Sequence, residues 1–102
     1  MKKLLLMFLF ILIVLALPIQ AAHQYKEKDY QEVWCKQARG IIEYVLDDGA
    51  RVDCLTDEYA IEFDFASKWA ESVGQSLYYA LQTGKKPGIV LILEKESDRR
   101  FL

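Results

Sequence analysis

The chain has 102 residues, with 13 basic and 15 acidic side chains, two cysteines and one histidine. That length allows one small domain. The acid excess disfavours specific, tight nucleic-acid binding without ruling nucleic acid out as a partner, and two cysteines with one histidine exclude a zinc-type Cys/His cluster.

Lys2-Lys3, the apolar run Leu4 to Leu17 and the segment Pro18 to Ala22 have the three-part form of a secretory signal peptide. The run is short for a membrane span, and Ala21 or Ala22 supplies the cleavage position. Residues 1-22 are therefore expected to direct export to a periplasmic or secreted location. An uncleaved anchor is the alternative, and it is the only membrane contact expected. Without Lys2 and Lys3, 11 basic residues face 15 acidic ones, so the mature chain is more acidic still. Residues 23-29 read as a flexible polar lead-in, and 30-102 as a single small α/β domain.

From Tyr30 to Leu46, Trp34, Ala38, Ile41, Ile42 and Val45 recur at helical spacing, predicting a first helix that ends at Asp47-Asp48-Gly49. Ala50 to Leu55 and Tyr59 to Ala66 then alternate as strands. In the second, Tyr59, Ile61, Phe63 and Phe65 share one parity and Ala60, Glu62 and Asp64 the other. A turn centred on Thr56-Asp57 places Asp53 opposite Ala60 and diagonal to Glu62, with Val52 and Cys54 on the aromatic face. Asp53, Glu62 and Asp64 then share a face, as metal-ligating carboxylates do, and as carboxylates of a solvated sheet face also do.

Ser67 reads as the N-cap of a second helix running to about Gln82, stopped by Gly84 and Pro87. Trp69, Ala70, Val73, Leu77, Ala80 and Leu81 fall on one side, expected to be inward, with Lys68, Gln75 and Tyr79 on the other. Gly74 points to a close helix-to-sheet approach. Gly88 to Leu93 reads as a strand covered on both faces, joined by a right-handed crossover to a parallel neighbour. The charged segment from Glu94 to Leu102, with Ser97 as a possible N-cap, is too short for a stable helix, which suggests a short member of a longer family.

Export places Cys35 and Cys54 where a disulfide can form. Both read as inward-facing, so they form either that disulfide or two buried thiols. A cysteine nucleophile lacks a partner base, because the one histidine, His23, lies at the expected new N-terminus.

The order helix, hairpin, helix, strand, carrying Glu43, Asp53, Glu62-Phe63-Asp64 and then Gln75 and Tyr79, resembles the PD-(D/E)XK nuclease superfamily over about Trp34 to Leu93. The resemblance implies a small α-β-β-α-β core, a minimal restriction-endonuclease-like fold of the α/β (α+β) class. It also implies Mg²⁺, with Mn²⁺ as substitute, held by Asp53, Glu62, Asp64 and Glu43, and phosphodiester hydrolysis with Asp53, Glu62, Asp64, Lys68 and Gln75 as catalytic residues. Asp64 stands at the position of the motif lysine, and Lys68 on the following helix is the candidate replacement. Lys68 and Gln75 also read as ordinary exposed helix residues. Alternatives are a catalytically silent domain of the same fold, acting as a binding or scaffold module, and an unrelated structural α/β protein of the cell envelope.

Overall fold

A computed structural model describes residues 22–102, and the expected signal segment falls almost wholly outside them. The described chain is a four-stranded mixed sheet with two helices, in the order α1 (Glu27–Gln37), β1 (Ile41–Val45), β2 (Arg51–Leu55), β3 (Tyr59–Phe65), α2 (Trp69–Thr83) and β4 (Lys86–Ile92). Spatial order follows chain order: β1, β2 and β3 are antiparallel, and β4 pairs parallel to β3 across the α2 crossover. The mixed α/β class is the expected one, with a strand added. Among the described residues no helix is long and apolar enough to cross a membrane.

The added strand corrects the first helix, which stops at Gln37 instead of reaching Leu46. Arg39 takes a left-handed φ of 57°, and Gly40 turns the chain while its N–H donates to the Cys35 carbonyl at 2.9 Å. A Cβ on Gly40 would lie 2.5 Å from Cys54 Sγ and 2.8 Å from Cys35 Sγ, closer than any side chain can sit. Beyond that break the β-branched residues Ile41, Ile42 and Val45 satisfy a strand better than a helix. Asp47-Asp48-Gly49 becomes the β1–β2 turn, with Gly49 at φ 87°.

The Cys35–Cys54 disulfide is present, with Cα atoms 5.8 Å apart. It ties α1 to β2 inside a cluster with Ile61 and Phe63, and it fits an exported protein. Val52, expected beside Cys54, packs instead with Leu46 and Ala60. The β2–β3 turn is centred one residue later than expected: the Thr56 N–H donates to the Tyr59 carbonyl at 2.9 Å across Asp57-Glu58, Leu55 pairs with Ala60 and Cys54 with Ile61. That is a two-residue shift from the expected register, so Cys54 still faces the Ile61 and Phe63 side while the partners change, and Val52 is the residue that leaves its expected set.

The α2 helix is inverted relative to the sequence reading. Ser72 and Ser76 are buried, whereas Trp69, Val73, Leu77 and Leu81 are 49%, 42%, 57% and 79% exposed. Small hydroxyl residues let the helix lie close to the sheet, and their oxygens are satisfied locally: Ser76 donates to the Val73 carbonyl at 3.0 Å. Ser67 lies in the preceding 3-10 turn Ala66–Lys68 and caps nothing. Gly74 has no atom within 4 Å of where a Cβ would stand, so close approach to the sheet does not explain it. Gly84, at φ 70°, does end the helix.

The last strand is a sheet edge and not a doubly covered centre, with Lys86 and Pro87 exposed and only Ile92 buried. Proline at an edge costs no ladder bond. The residues before α1 are held by Glu94: His23 Nδ1 lies 2.5 Å from its Oε1, while the Gln24 N–H and the Tyr30 hydroxyl donate to Oε2 at 2.8 and 2.6 Å. The His23 ring stacks on Phe65 at 3.5 Å. The C-terminal segment forms a 3-10 turn, Glu96–Phe101, whose start is held by Asp98 accepting from the Glu94 and Lys95 N–H groups, not by Ser97.

Candidate functional site

Glu62 and Asp64 project from the same face of β3 and are only 6% and 8% exposed, which rules out a solvated sheet face for both. Asp53 reaches them from β2. Beyond Cys54 the β2–β3 ladder gives way, and the Phe63 N–H donates to Asp53 Oδ2 at 2.8 Å. A side-chain carboxylate thus occupies the place of a strand carbonyl. The Asp64 carboxylate is similarly turned to protein donors, accepting from the Phe65 N–H at 3.0 Å and the Ser72 hydroxyl at 3.4 Å.

Glu43 lies on β1, not on the first helix. Its φ of 55° is unusual for a strand residue other than glycine, and the direct pairs of β1 with β2 fall on either side of it, Ile42 with Cys54 and Tyr44 with Val52. Buried Gln31, on α1, bridges this irregularity: its amide donates to Glu43 Oε1 at 3.3 Å and to the Asp53 carbonyl at 2.6 Å. Glu27, one turn before Gln31 on the same helix, escapes a sequence reading that starts the helix at Tyr30, and Gln31 lies within that reading as an ordinary polar helix residue. Their i, i+4 spacing was the available signal.

Burial and crowding of like charge set the electrostatics. Burial, then the neighbouring Asp53 charge, pushes the Glu62 carboxyl up to about 9. Burial also raises Asp53, against the lowering effect of the Phe63 N–H. Asp64 is raised by burial and partly restored by the Phe65 N–H and Lys68. Glu27 is raised by burial and by Asp53 and Asp64. Burial and the adjacent Asp53 charge therefore favour the protonated form of Glu62. Its Oε2 is buried and meets no donor among the described residues, while a side-chain hydrogen bond between Glu62 and Asp53 raises the first and lowers the second.

Of the remaining expected residues, Lys68 is exposed at the start of α2, near enough for its charge to act on Asp64 and Glu27. Gln75 is exposed and makes no hydrogen bond to the carboxylates. Tyr79 is half-buried against Leu46, Val52 and Ala60, and burial together with Glu62 and Asp53 pushes its hydroxyl up to about 12. Among the described residues no three His, Cys, Asp or Glu side chains form a ready metal-ligand set. An apolar cleft of about 540 Å³ lies elsewhere, between α1 and β4, lined by Tyr30, Val33, Trp34, Val90 and Leu93.

No protein-family model, curated protein or solved structure matches the chain.

Proposed function

We propose that this is an exported domain that binds a divalent cation at the Asp53–Glu62 carboxyl pair, as a divergent relative of the PD-(D/E)XK nucleases, with phosphodiesters as its substrate class. The observation that carries the reading is Glu62 Oε2, a buried oxygen without a partner beside Asp53. A hard cation that takes oxygen ligands, Mg²⁺ or Mn²⁺, would satisfy that oxygen and offset the burial and like charge that raise Glu62 and Asp53. Glu62 and Asp53 would hold it, with Asp64 as a third donor and Glu43 and Glu27 as outer carboxylates. Bound there, the ion would supply Lewis-acid polarisation of a phosphoryl oxygen.

This chain's own residues constrain the chemistry. Asp53 must give up the Phe63 N–H, or share it, to present both oxygens. Lys68, at the rim, is the cation available to a phosphate. Asp64 brings negative charge where the related nucleases carry a lysine, which lowers phosphate affinity and makes any hydrolysis slow. The same feature favours the second reading, a silent domain of this fold that retains the cation site and cuts nothing.

Mn²⁺ or Mg²⁺ titration of the exported protein, followed by melting temperature and the carboxylate resonances, tests the cation site, with Glu62→Ala as control. Stabilisation of the parent but not the variant is expected. No response in either property removes the proposal. Cleavage of single-stranded or duplex DNA or RNA that Lys68→Ala reduces separates the enzyme from the silent domain.

A further inference from the structure

The outer surface of α2 is nearly uncharged: of Trp69–Thr83, only Glu71 bears a charge. At about 100° per residue, the polar positions Glu71, Gln75 and Gln82 occupy a narrow arc beside the buried Ser72–Ser76 face. The rest of the circumference is apolar and exposed, with Trp69, Val73, Leu77 and Leu81 in one i, i+4 row. Beside that row Ala70 and Gly74 form a shallow furrow, and Gly74 has open space above it. Glycine inside a helix is unfavourable, and no contact among the described residues requires it.

We propose that this face is a self-association surface, on which a second copy of the chain docks its own α2 antiparallel about a two-fold axis. A row of i, i+4 side chains next to a furrow of small residues is the element that two identical helices interdigitate, ridge into groove, at an angle near −50°. Two-fold pairing requires a self-complementary patch. The antiparallel arrangement sets Trp69 of one copy against Leu81 of the other and keeps the two Glu71 carboxylates apart, whereas a parallel pair would juxtapose them. Trp69, Val73, Leu77, Tyr78 and Leu81 together leave on the order of 400 Å² of apolar surface in water. Doubled, and with Ala70 and Gly74 included, this reaches the roughly 1,000 Å² that a specific interface needs.

The test is sedimentation equilibrium of the exported protein, as the cell delivers it, from about 1 to 100 µM. The expected result is a monomer–dimer equilibrium in that range, weakened at least tenfold by Leu77→Glu and by Leu81→Lys, with circular dichroism unchanged. Leu77 and Leu81 are 57% and 79% exposed, so neither variant disturbs the core, and the second guards against an idiosyncratic effect of the first. A monomer throughout the range overturns the proposal, as does a dimer indifferent to both variants. A monomer that floats with anionic phosphatidylserine vesicles would give the patch to a membrane. A monomer that retains residues 1-22 would give it to the chain's own apolar run. Either result overturns self-association without touching the cation site.

Discussion

The Phe63 N–H donates to the Asp53 carboxylate at 2.8 Å across the point where the β2–β3 ladder ends, so one carboxylate both closes the sheet and borders Glu62. Structure and acidity are thereby coupled. A carboxyl whose native pKa is raised binds more protons folded than unfolded, so its contribution is unfavourable wherever the unfolded chain is ionised. For Glu62, between the ordinary value of 4.5 and about 9, stability falls as pH rises, and it levels off above that window. Asp53, Asp64 and Glu27 are raised in the same direction.

Glu62→Gln keeps the shape and removes the titration. The variant is expected to be more stable than the parent at pH 7 to 8, by about 1–3 kcal/mol after allowance for screening, and to converge with it near pH 4. Melting curves from pH 4 to pH 9, with divalent ions removed, check this. A parent whose stability is flat across the window would mean that Glu62 stays ionised.

The disulfide closes a loop of sequence separation 19, for which the chain-entropy relation gives about 3 kcal/mol. Reduction, or the double change Cys35→Ser with Cys54→Ser, is expected to lower stability by about 2–4 kcal/mol in urea titrations. Gly40→Ala should cost about 1–3 kcal/mol in the oxidised protein, because its methyl would meet both sulfur atoms.

What the sequence made legible was what depends on local alternation. Tyr59 to Phe65 form a strand, with Glu62 and Asp64 on one face, and the two-residue register shift left that face intact. Ile41, Ile42 and Val45 fit both a 3.6-residue and an extended pattern, and the deciding residue was Gly40, whose role comes from two sulfur atoms distant in sequence. The α2 face was misread for a different reason. Hydrophobic periodicity identifies the apolar stripe, and the usual inference that the stripe faces its own core fails when serines make the tighter fit to the sheet. Glu27 and Gln31 joined the site only through the crossing of α1 over β1 and β2, which no local pattern encodes.

The inverted helix makes an opposed pair of mutations informative. Ser72→Leu and Ser76→Leu should each destabilise by about 1–3 kcal/mol through overpacking against β3. Leu81→Ala should change the unfolding free energy of the monomer by less than about 0.5 kcal/mol. Denaturant titration at low protein concentration checks both, and a large loss in Leu81→Ala would restore the apolar stripe to the interior.

The last prediction concerns Glu94, which gathers His23, Gln24 and Tyr30 at the end of β4. The Tyr30 hydroxyl, foremost, and His23 hold the Glu94 carboxyl down to about 2, while the same contact pushes the Tyr30 hydroxyl up to about 12. A depressed carboxylate contributes stability above its ordinary 4.5 that is lost as pH falls toward 2, so the segment before α1 should loosen between those values. Glu94→Gln should loosen it at neutral pH, since an amide cannot accept from all three donors with both of its polar atoms. The group is at the surface, so the effect belongs to local opening and not to global unfolding. Hydrogen exchange at the Gln24 and Tyr25 amides reads it directly: faster exchange in Glu94→Gln, with β3 amides unchanged, is the expected result, and equal protection in both proteins would show that the His23–Phe65 stack alone holds the segment.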